Sequence, residues 1–113
     1  MPLSPDQFRA LALALPETAE GSHMDHPDFR VAGRTFASLH PKEPWGMVKL
    51  TPEQQARWLK AGPSAFAPVN GAWGRAGATY IILKAAKKTS ARLALMEAWR
   101  NTAPKKLAEQ FEA

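Results

Sequence analysis

The sequence predicts an α+β fold in which helices pack against an antiparallel sheet of about five strands, in the element order α-βββ-α-ββ-α. Three observations support this prediction. Segments with helical periodicity begin at Ser-Pro and Thr-Pro caps, short β-prone runs lie between glycines and prolines, and these runs fall into two groups separated by a helix. The 113 residues are 45% hydrophobic and 22% charged, which is typical of a chain with one core. We therefore expect residues 1–113 to form a single domain.

The first helix is predicted to begin at the motif Ser4-Pro5-Asp6-Gln7. This motif combines an N-cap hydroxyl, a proline at the first helical position and a glutamine that can reach back to the cap. The apolar residues that follow are spaced i, i+3, i+4 and i+7 and form one stripe that ends at Pro16: Phe8, Leu11, Ala12 and Leu15. This stripe is expected to pack in the core.

Short strands are predicted between Glu17 and Leu50, where prolines and glycines separate β-prone runs. Residues 29–31 and 34–39 flank Ala32-Gly33, a two-residue link typical of a β-hairpin because glycine tolerates a positive φ. Residues 45–50 should form the next strand. Its alternation places Val48 and Leu50 on one face, and on the other face Trp45, Met47 and Lys49.

A second helix is predicted from the motif Thr51-Pro52-Glu53-Gln54, which repeats the capping pattern of the first. The helix should reach about Ala61 and end at Gly62-Pro63. Three segments should follow: an extended stretch at 64–70, a glycine-rich loop at 71–77 and a strand at 78–84.

A third helix is predicted to begin at Thr89 or Ser90, either of which can serve as its N-cap. Five of its residues are expected to share one face: Arg92, Leu95, Met96, Trp99 and Ala103. Leu93 falls outside that stripe. Pro104 can occupy the first position of a short final helix over residues 105–111, although it can also kink the preceding helix.

The composition excludes several classes of protein. The chain has no cysteine, which removes disulfides, thiolate nucleophiles, iron–sulfur clusters and cysteine-based zinc sites. No stretch approaches the roughly 20 apolar residues of a membrane-spanning helix, and the N-terminus has no basic segment followed by an apolar run. We expect a soluble, cytoplasmic protein that acts as a monomer and does not contact membranes.

The charge is unevenly distributed along the chain. Fifteen Lys and Arg against ten Asp and Glu give a net charge of +5. Residues 1–56 hold five basic and seven acidic side chains (net −2), whereas residues 57–113 hold ten basic and three acidic ones (net +7). Such an asymmetry can attract a polyanion such as nucleic acid, or it can be a solvated face without a ligand.

Candidate catalytic and metal-ligating groups concentrate in the segment S-H-M-D-H-P-D, which holds His23, Asp25, His26 and Asp28. Two histidines three residues apart supply at most part of a metal site, and the H-E-x-x-H pattern is absent. The alternative is that the two aspartates form hydrogen bonds within a turn. No G-x-S-x-G motif occurs, and the glycines of residues 71–77 lack the spacing of a phosphate-binding loop. We therefore predict a protein that is not an enzyme and that needs no cofactor or metal.

Basic residues interleaved with aromatic ones are more informative. Trp45, Met47 and Lys49 share one strand face, and Tyr80, Ile82 and Lys84 share another. If these faces coincide, the sheet presents rings on which bases can stack and ammonium groups that neutralise phosphates; the alternative is that a helix covers them. Trp73 and Arg75 lie together on the glycine-rich loop and add a ring and a guanidinium; the alternative is that Trp73 folds back onto the core. Further cations flank the third helix: Lys87, Lys88, Arg100, Lys105 and Lys106.

The chain resembles the MmcQ/YjbR family of small bacterial proteins over nearly its full length. The resemblance is carried by H-P-D-F-R-V-A-G-R-T-F-A at residues 26–37, W-G-M-V-K-L at 45–50 followed by T-P-E-Q-Q, and A-W-R-N-T-A-P-K-K at 98–106. It implies a compact α+β fold comparable with frataxin-like (CyaY-like) and secretion-chaperone-like folds. A frataxin-like comparison would imply iron handling, but Asp6 is the only acidic residue on the predicted first helix.

The resemblance also implies DNA binding through a double-wing arrangement of sheet and loops. This role is carried over onto the positions that match the quoted motifs: Lys49, Arg100, Lys105 and Lys106. The charge pattern adds Arg75, Lys84, Lys87 and Lys88 as phosphate contacts, and Trp45, Trp73 and Tyr80 as stacking groups. The rival hypothesis is a module that binds a protein or a small ligand on the same face, because aromatic residues and Met are enriched at interfaces.

Overall fold

The structure, a computed structural model, describes residues 3–23, 26–40 and 45–111. Its strands are β1 (Thr18–His23), β2 (His26–Val31), β3 (Arg34–Leu39), β4 (Trp45–Lys49), β5 (Phe66–Pro68) and β6 (Ala78–Ile82). Its helices are α1 (Pro5–Leu13), α2 (Pro52–Ala61), α3 (Ala72–Arg75), α4 (Lys88–Thr102) and α5 (Lys105–Gln110). The predicted α+β class is confirmed. Among the helices of these ranges, none combines the length and the apolar composition that spanning a bilayer requires.

The strands form one antiparallel sheet in the order β1-β2-β3-β4-β6-β5. The sheet has six strands rather than about five, because β1 was not predicted. Its residues, T-A-E-G-S-H, carry no alternation of apolar side chains. Strand β1 is an edge strand held by pairing with β2, from Thr18 opposite Val31 to His23 opposite His26. Pairing of this kind is a tertiary property that the local sequence does not encode.

The hairpin between β2 and β3 agrees with the prediction. Ala32 and Gly33 both have positive φ, 52° and 78°, as a two-residue hairpin turn with the twist of the flanking strands requires. A bulge interrupts the pairing next to this turn: Phe29 faces Ala37 whereas Arg30 faces Thr35, which leaves Phe36 as the extra residue. Phe36 and Ala37 are consequently both buried.

The core lies between one face of the sheet and the helices α1 and α4. Phe8 and Ala12 of α1 are buried as predicted, and the ring of Phe8 lies 6.1 Å from that of Phe29. Trp99 of α4 is fully buried, and its Nε1 donates a hydrogen bond to the Pro16 carbonyl at 3.0 Å. Helix α4 is thereby tied to the turn that follows α1.

Both predicted capping boxes are present. Ser4 Oγ accepts a hydrogen bond from the Gln7 backbone N–H, and the Gln7 side chain accepts one from the Ser4 N–H at 2.8 Å. Thr51 and Gln54 form the same reciprocal pair at the start of α2. Side-chain caps can be predicted because they depend only on residues three positions apart.

Three predictions in the C-terminal half were wrong in detail. Residues 72–75 of the predicted glycine-rich loop form the short helix α3. Helix α4 begins at Lys88 rather than after Thr89 or Ser90, because the Lys87 carbonyl already accepts the first helical hydrogen bond from the Ala91 N–H. Arg92 is exposed rather than on the core face, which consists mainly of Ala91, Ala94, Leu95, Ala98 and Trp99. Small alanines make a weak hydrophobic signal, although they let the helix approach the sheet closely.

Candidate functional site

The face of the sheet opposite α1 and α4 keeps most of its side chains partly exposed, and Asp28 is buried. On β4 the alternation is as predicted: Gly46 and Val48 are buried on the core side, whereas Trp45, Met47 and Lys49 are half-buried on the other. We call this second side the uncovered face. It is formed by His26, Asp28, Arg30, Thr35, Ser38, Trp45, Met47, Lys49, Tyr80 and Ile82.

The register of β4 and β6 brings the two predicted patterns together. Met47 lies opposite Tyr80, and Trp45 lies opposite Ile82. Because residues opposite each other in a sheet point to the same side, the aromatic and basic side chains of the two strands share the uncovered face. The alternative was that a helix covers this face. Helices α1 and α4 do not cover it, because both pack on the core side.

Four aromatic rings form a continuous cluster across this face. His26 meets His40 edge-on at 5.1 Å, His40 stacks on Trp45 at 5.1 Å with an interplanar angle of 11°, and Trp45 meets Tyr80 edge-on at 4.2 Å. One face of the Trp45 ring is therefore already stacked against a neighbour. Trp45 and Tyr80 together form one wall of this face, which we call the aromatic wall.

Trp73 differs from these rings because 66% of its surface is exposed. It lies on α3, and the ammonium nitrogen of Lys49 is 5.5 Å from its ring centre, within the range of a cation–π contact. Hydrogen bonds from a side chain of α2 hold α3 in place. Gln55 Nε2 of α2 donates to the carbonyls of Gly74 and Ala78, at 3.0 Å each. A side chain at Gly74 would collide with the Val69 carbonyl, so only glycine fits there.

A groove runs over the uncovered face between the aromatic wall and Trp73. It consists of two adjoining parts of about 340 and about 200 Å³, which share His26, Ser38 and Met47. The larger part is lined by Trp73 and also by Asp28, Thr35 and Lys49. A mainly apolar groove with a few polar groups converging on it is typical of a ligand site, and its size falls at the lower end of the usual ~300–1,000 Å³ range.

The polar end of the groove contains an ion pair. Arg30 Nε and Nη2 donate to the two carboxylate oxygens of Asp28 at 2.9 and 3.0 Å. The hydrogen bond, together with the negative charge of Asp28, raises the pKa of the Arg30 guanidinium. Gly21 on β1 leaves room for this pair, because a Cβ there would lie 2.9 Å from Asp28 Oδ1. Asp28 is held in one orientation although Arg30 remains partly exposed.

The other residues that were predicted to contact phosphates do not line the groove. Lys87 and Lys88 lie at the start of α4 and Arg100 lies near its end, so the 15-residue helix separates them by about 20 Å. Arg100 donates to the Phe111 carbonyl at 2.9 Å, and Lys105 and Lys106 are exposed on α5. These five cations belong to the helical layer. Arg75 is exposed on α3 near Trp73, and Lys84 is exposed in the turn after β6.

Sequence reasoning missed three residues that line the groove: Thr35, Ser38 and His40. Ser38 could have been found, because it is the polar residue between the apolar Ala37 and Leu39. The bulge at Phe36 concealed Thr35, since it reverses the alternation of β3. Of the residues considered for a metal site, His26 and Asp28 line the groove, whereas Asp25 and the side chain of His23 lie outside the described residues. Over the described ranges, no group of three or more His, Asp or Glu could hold a metal ion.

A sheet with helices on one face and a groove on the other defines a two-layer α+β protein. The sequence profile of the YjbR family matches residues 13–101, and the chain belongs to this family. No curated protein matches the chain. Among solved structures, the chain is similar to the Deinococcus radiodurans protein DR2400, a DUF419 domain, with a TM-score of 0.74 and 17% sequence identity. The match covers 88% of this chain and 78% of DR2400, and it supports the fold.

Proposed function

We propose that the protein is a non-enzymatic DNA-binding domain that holds an unpaired base on Trp73 and the adjoining phosphate at Lys49. The observation that carries this proposal is the placement of an exposed indole and an ammonium group 5.5 Å apart at the mouth of a groove. Stacking on an aromatic ring combined with a cation for the backbone is the usual way in which proteins bind single strands.

The charges around the groove favour a polyanion. Arg30 neutralises the Asp28 carboxylate, so Asp28 repels a phosphate less than a free carboxylate would. Among the described residues that line the groove, histidines aside, Lys49 is then the one charged side chain without an opposite charge beside it. Arg75 lies two residues from Trp73. Lys84 follows β6, the strand that carries Tyr80. These three cations are the proposed direct phosphate contacts.

The remaining cations of the proposal act at a distance. Lys87, Lys88, Arg100, Lys105 and Lys106 lie on α4 and α5 or at their ends, and the helical layer is separated from the uncovered face by the sheet. Two packed layers are spaced about 10 Å apart, comparable to the Debye length of ~8 Å at physiological salt. We expect these five residues to accelerate association at low salt and to add little affinity at physiological salt.

Fluorescence anisotropy with labelled single-stranded and duplex DNA at about 50 and 200 mM salt tests the proposal. We expect the single strand to bind more tightly, because only an unpaired base can stack on Trp73. With three phosphate contacts, the fourfold rise in salt should weaken single-strand binding about 20-fold. Absence of binding at low salt, or binding that does not change with salt, would contradict the proposal.

A second candidate function is a module that binds a small ligand on the same face. The size and mainly apolar lining of the groove favour it. The two functions differ in the effect of salt and in their dependence on Arg75, which does not line either part of the groove. An Arg75→Gln variant should lower the affinity for DNA and leave the affinity for a small ligand unchanged.

A further inference from the structure

We infer that Asp28 makes the groove select bases that carry an exocyclic amino group, such as cytosine, over thymine and uracil. This inference rests on the proposed DNA-binding function and adds base selectivity to it. Its basis is the juxtaposition, within one groove, of a fixed carboxylate with the exposed ring of Trp73.

The Asp28 carboxylate lies in the part of the groove that Trp73 lines. Asp28, Ser38 and Met47 line the same part of the groove as Trp73 and Lys49. A base stacked on the indole, with its phosphate at Lys49, would direct its far edge into this groove. Asp28 is 5% exposed, so an edge that reaches it leaves bulk water.

The carboxylate keeps capacity for another donor. Arg30 supplies one N–H to each oxygen, whereas an ionised carboxylate has about four acceptor sites. An ionised carboxylate can only accept hydrogen bonds. The same ion pair fixes the direction of the carboxylate, because both of its oxygens are bound to one planar guanidinium.

Cytosine and uracil differ in the groups that such an acceptor would meet. Cytosine presents its N4 amino group as a donor, and Asp or Glu accepting from this group is a recurrent contact to cytosine. Thymine, and uracil likewise, presents the O4 carbonyl at this position, so a carboxylate that faces position 4 would meet a second acceptor there, and the N3–H beside it is the one donor on that edge. An O4 carbonyl that leaves water and meets no donor lowers the affinity of the base. We expect a preference of about tenfold for cytosine, as one such contact supplies.

Homopolymers of deoxycytidine and deoxyuridine, about ten nucleotides long to cover one binding site, are suitable probes. They offer the same base in every register and differ in the groups at ring positions 3 and 4. Anisotropy titrations at low salt should show about tenfold tighter binding of the deoxycytidine oligomer. Polydeoxythymidine of the same length should behave like the deoxyuridine oligomer.

Asp28→Asn is the test variant, because an amide offers a donor or an acceptor and can serve either base. Its side-chain oxygen can still accept from Arg30, and the melting temperature checks that the fold is kept. The cytosine preference should fall to near unity. Asp6→Asn, the same substitution on α1 in the helical layer, is the matched control and should leave the preference unchanged. Trp73→Ala should weaken binding of both oligomers and also reduce the cytosine preference, because the stacked indole directs the base edge toward Asp28.

The outcomes separate this inference from the proposed function. Equal, salt-dependent binding of the two oligomers would overturn the selectivity and leave DNA binding in place. A preference that survives in the Asp28→Asn variant would overturn the role of Asp28. If neither oligomer binds at low salt, the proposed function itself is overturned, and the selectivity with it.

Discussion

The ring of Phe8 on α1 lies directly against Gly46 on β4. A Cβ at position 46 would fall 2.7 Å from two carbons of this ring, and Phe8 is fully buried. Glycine therefore creates the recess in the sheet into which α1 inserts its largest side chain. Trp45 and Met47, the neighbours of Gly46 on β4, point to the uncovered face, so the same strand anchors the helical layer and supports the groove.

Gly46→Ala should destabilise the protein because the added methyl group must displace the Phe8 ring. Overpacking of this kind costs about 1–3 kcal/mol, which lowers the melting temperature by about 4 °C for each kcal/mol in a domain of this size. Thermal denaturation followed by circular dichroism measures the shift. Phe8→Leu, which shortens the opposing side chain, should be less destabilising in the Gly46→Ala background than in the wild type. Strictly additive effects would show that the two residues do not compete for space.

Trp99→Phe should also destabilise the fold, for a different reason. The substitution leaves the Pro16 carbonyl without the indole N–H that reaches it at 3.0 Å, and it opens a cavity at a fully buried position. Together these effects should cost about 2–4 kcal/mol in urea denaturation. Trp73→Phe, the same substitution at an exposed site, should change stability by less than about 0.5 kcal/mol. Similar losses in the two variants would contradict the described role of Trp99.

Thr51→Ala should cost about 1 kcal/mol, because the Thr51 hydroxyl caps the Gln54 N–H at the start of α2. Thr89→Ala is the matched control. Thr89 lies inside the first turn of α4, which begins without a side-chain cap, so its replacement should leave stability nearly unchanged. Chemical denaturation of both variants checks this contrast, and a larger loss for Thr89→Ala would indicate that α4 begins at Thr89 after all.

Features encoded by neighbouring residues were predictable from the sequence. Each capping box depends on residues three apart, and the hairpin at Ala32-Gly33 depends on two. Strand β1 was not predictable, because its polar residues form a strand only through pairing with β2. The start of α4 was missed for a related reason: Thr89 and Ser90 are good caps by type, but the chain already turns at Lys87.

The candidate site was predictable only in part. The alternation of β4 placed Trp45, Met47 and Lys49 on one face, and the structure brings Tyr80 to the same face through the β4–β6 register. The relation of Trp73 to Lys49 depends on α3, whose position is set by hydrogen bonds from Gln55, nineteen residues before Gly74. The separation of the basic residues between two layers has no counterpart in the sequence, since charge does not indicate which side of a sheet a helix occupies.

Trp73→Ala should weaken single-strand binding about 5- to 150-fold, the range expected for loss of one base–aromatic stacking contact. Trp73→Phe should retain part of the affinity because it keeps an aromatic face. Neither variant should change the melting temperature appreciably, since the side chain is 66% exposed. Leu13→Ala removes another exposed apolar side chain, on α1, and should leave binding unchanged. A loss of affinity in Leu13→Ala as large as that in Trp73→Ala would place the DNA elsewhere.

Lys49→Gln and Lys105→Gln each remove one positive charge, the first from the groove and the second from the helical layer. Lys49 lines the groove, so its loss should lower single-strand affinity and reduce the slope of log affinity against log salt by about 0.7, the contribution of one phosphate contact. Lys105 lies on α5 in the helical layer, and its replacement should leave the slope unchanged and slow association only at low salt. Anisotropy titrations over a salt series measure both slopes. A reduced slope in Lys105→Gln with an unchanged slope in Lys49→Gln would assign the binding surface to the helical layer, because a phosphate contact alters the salt dependence only where the phosphate is bound.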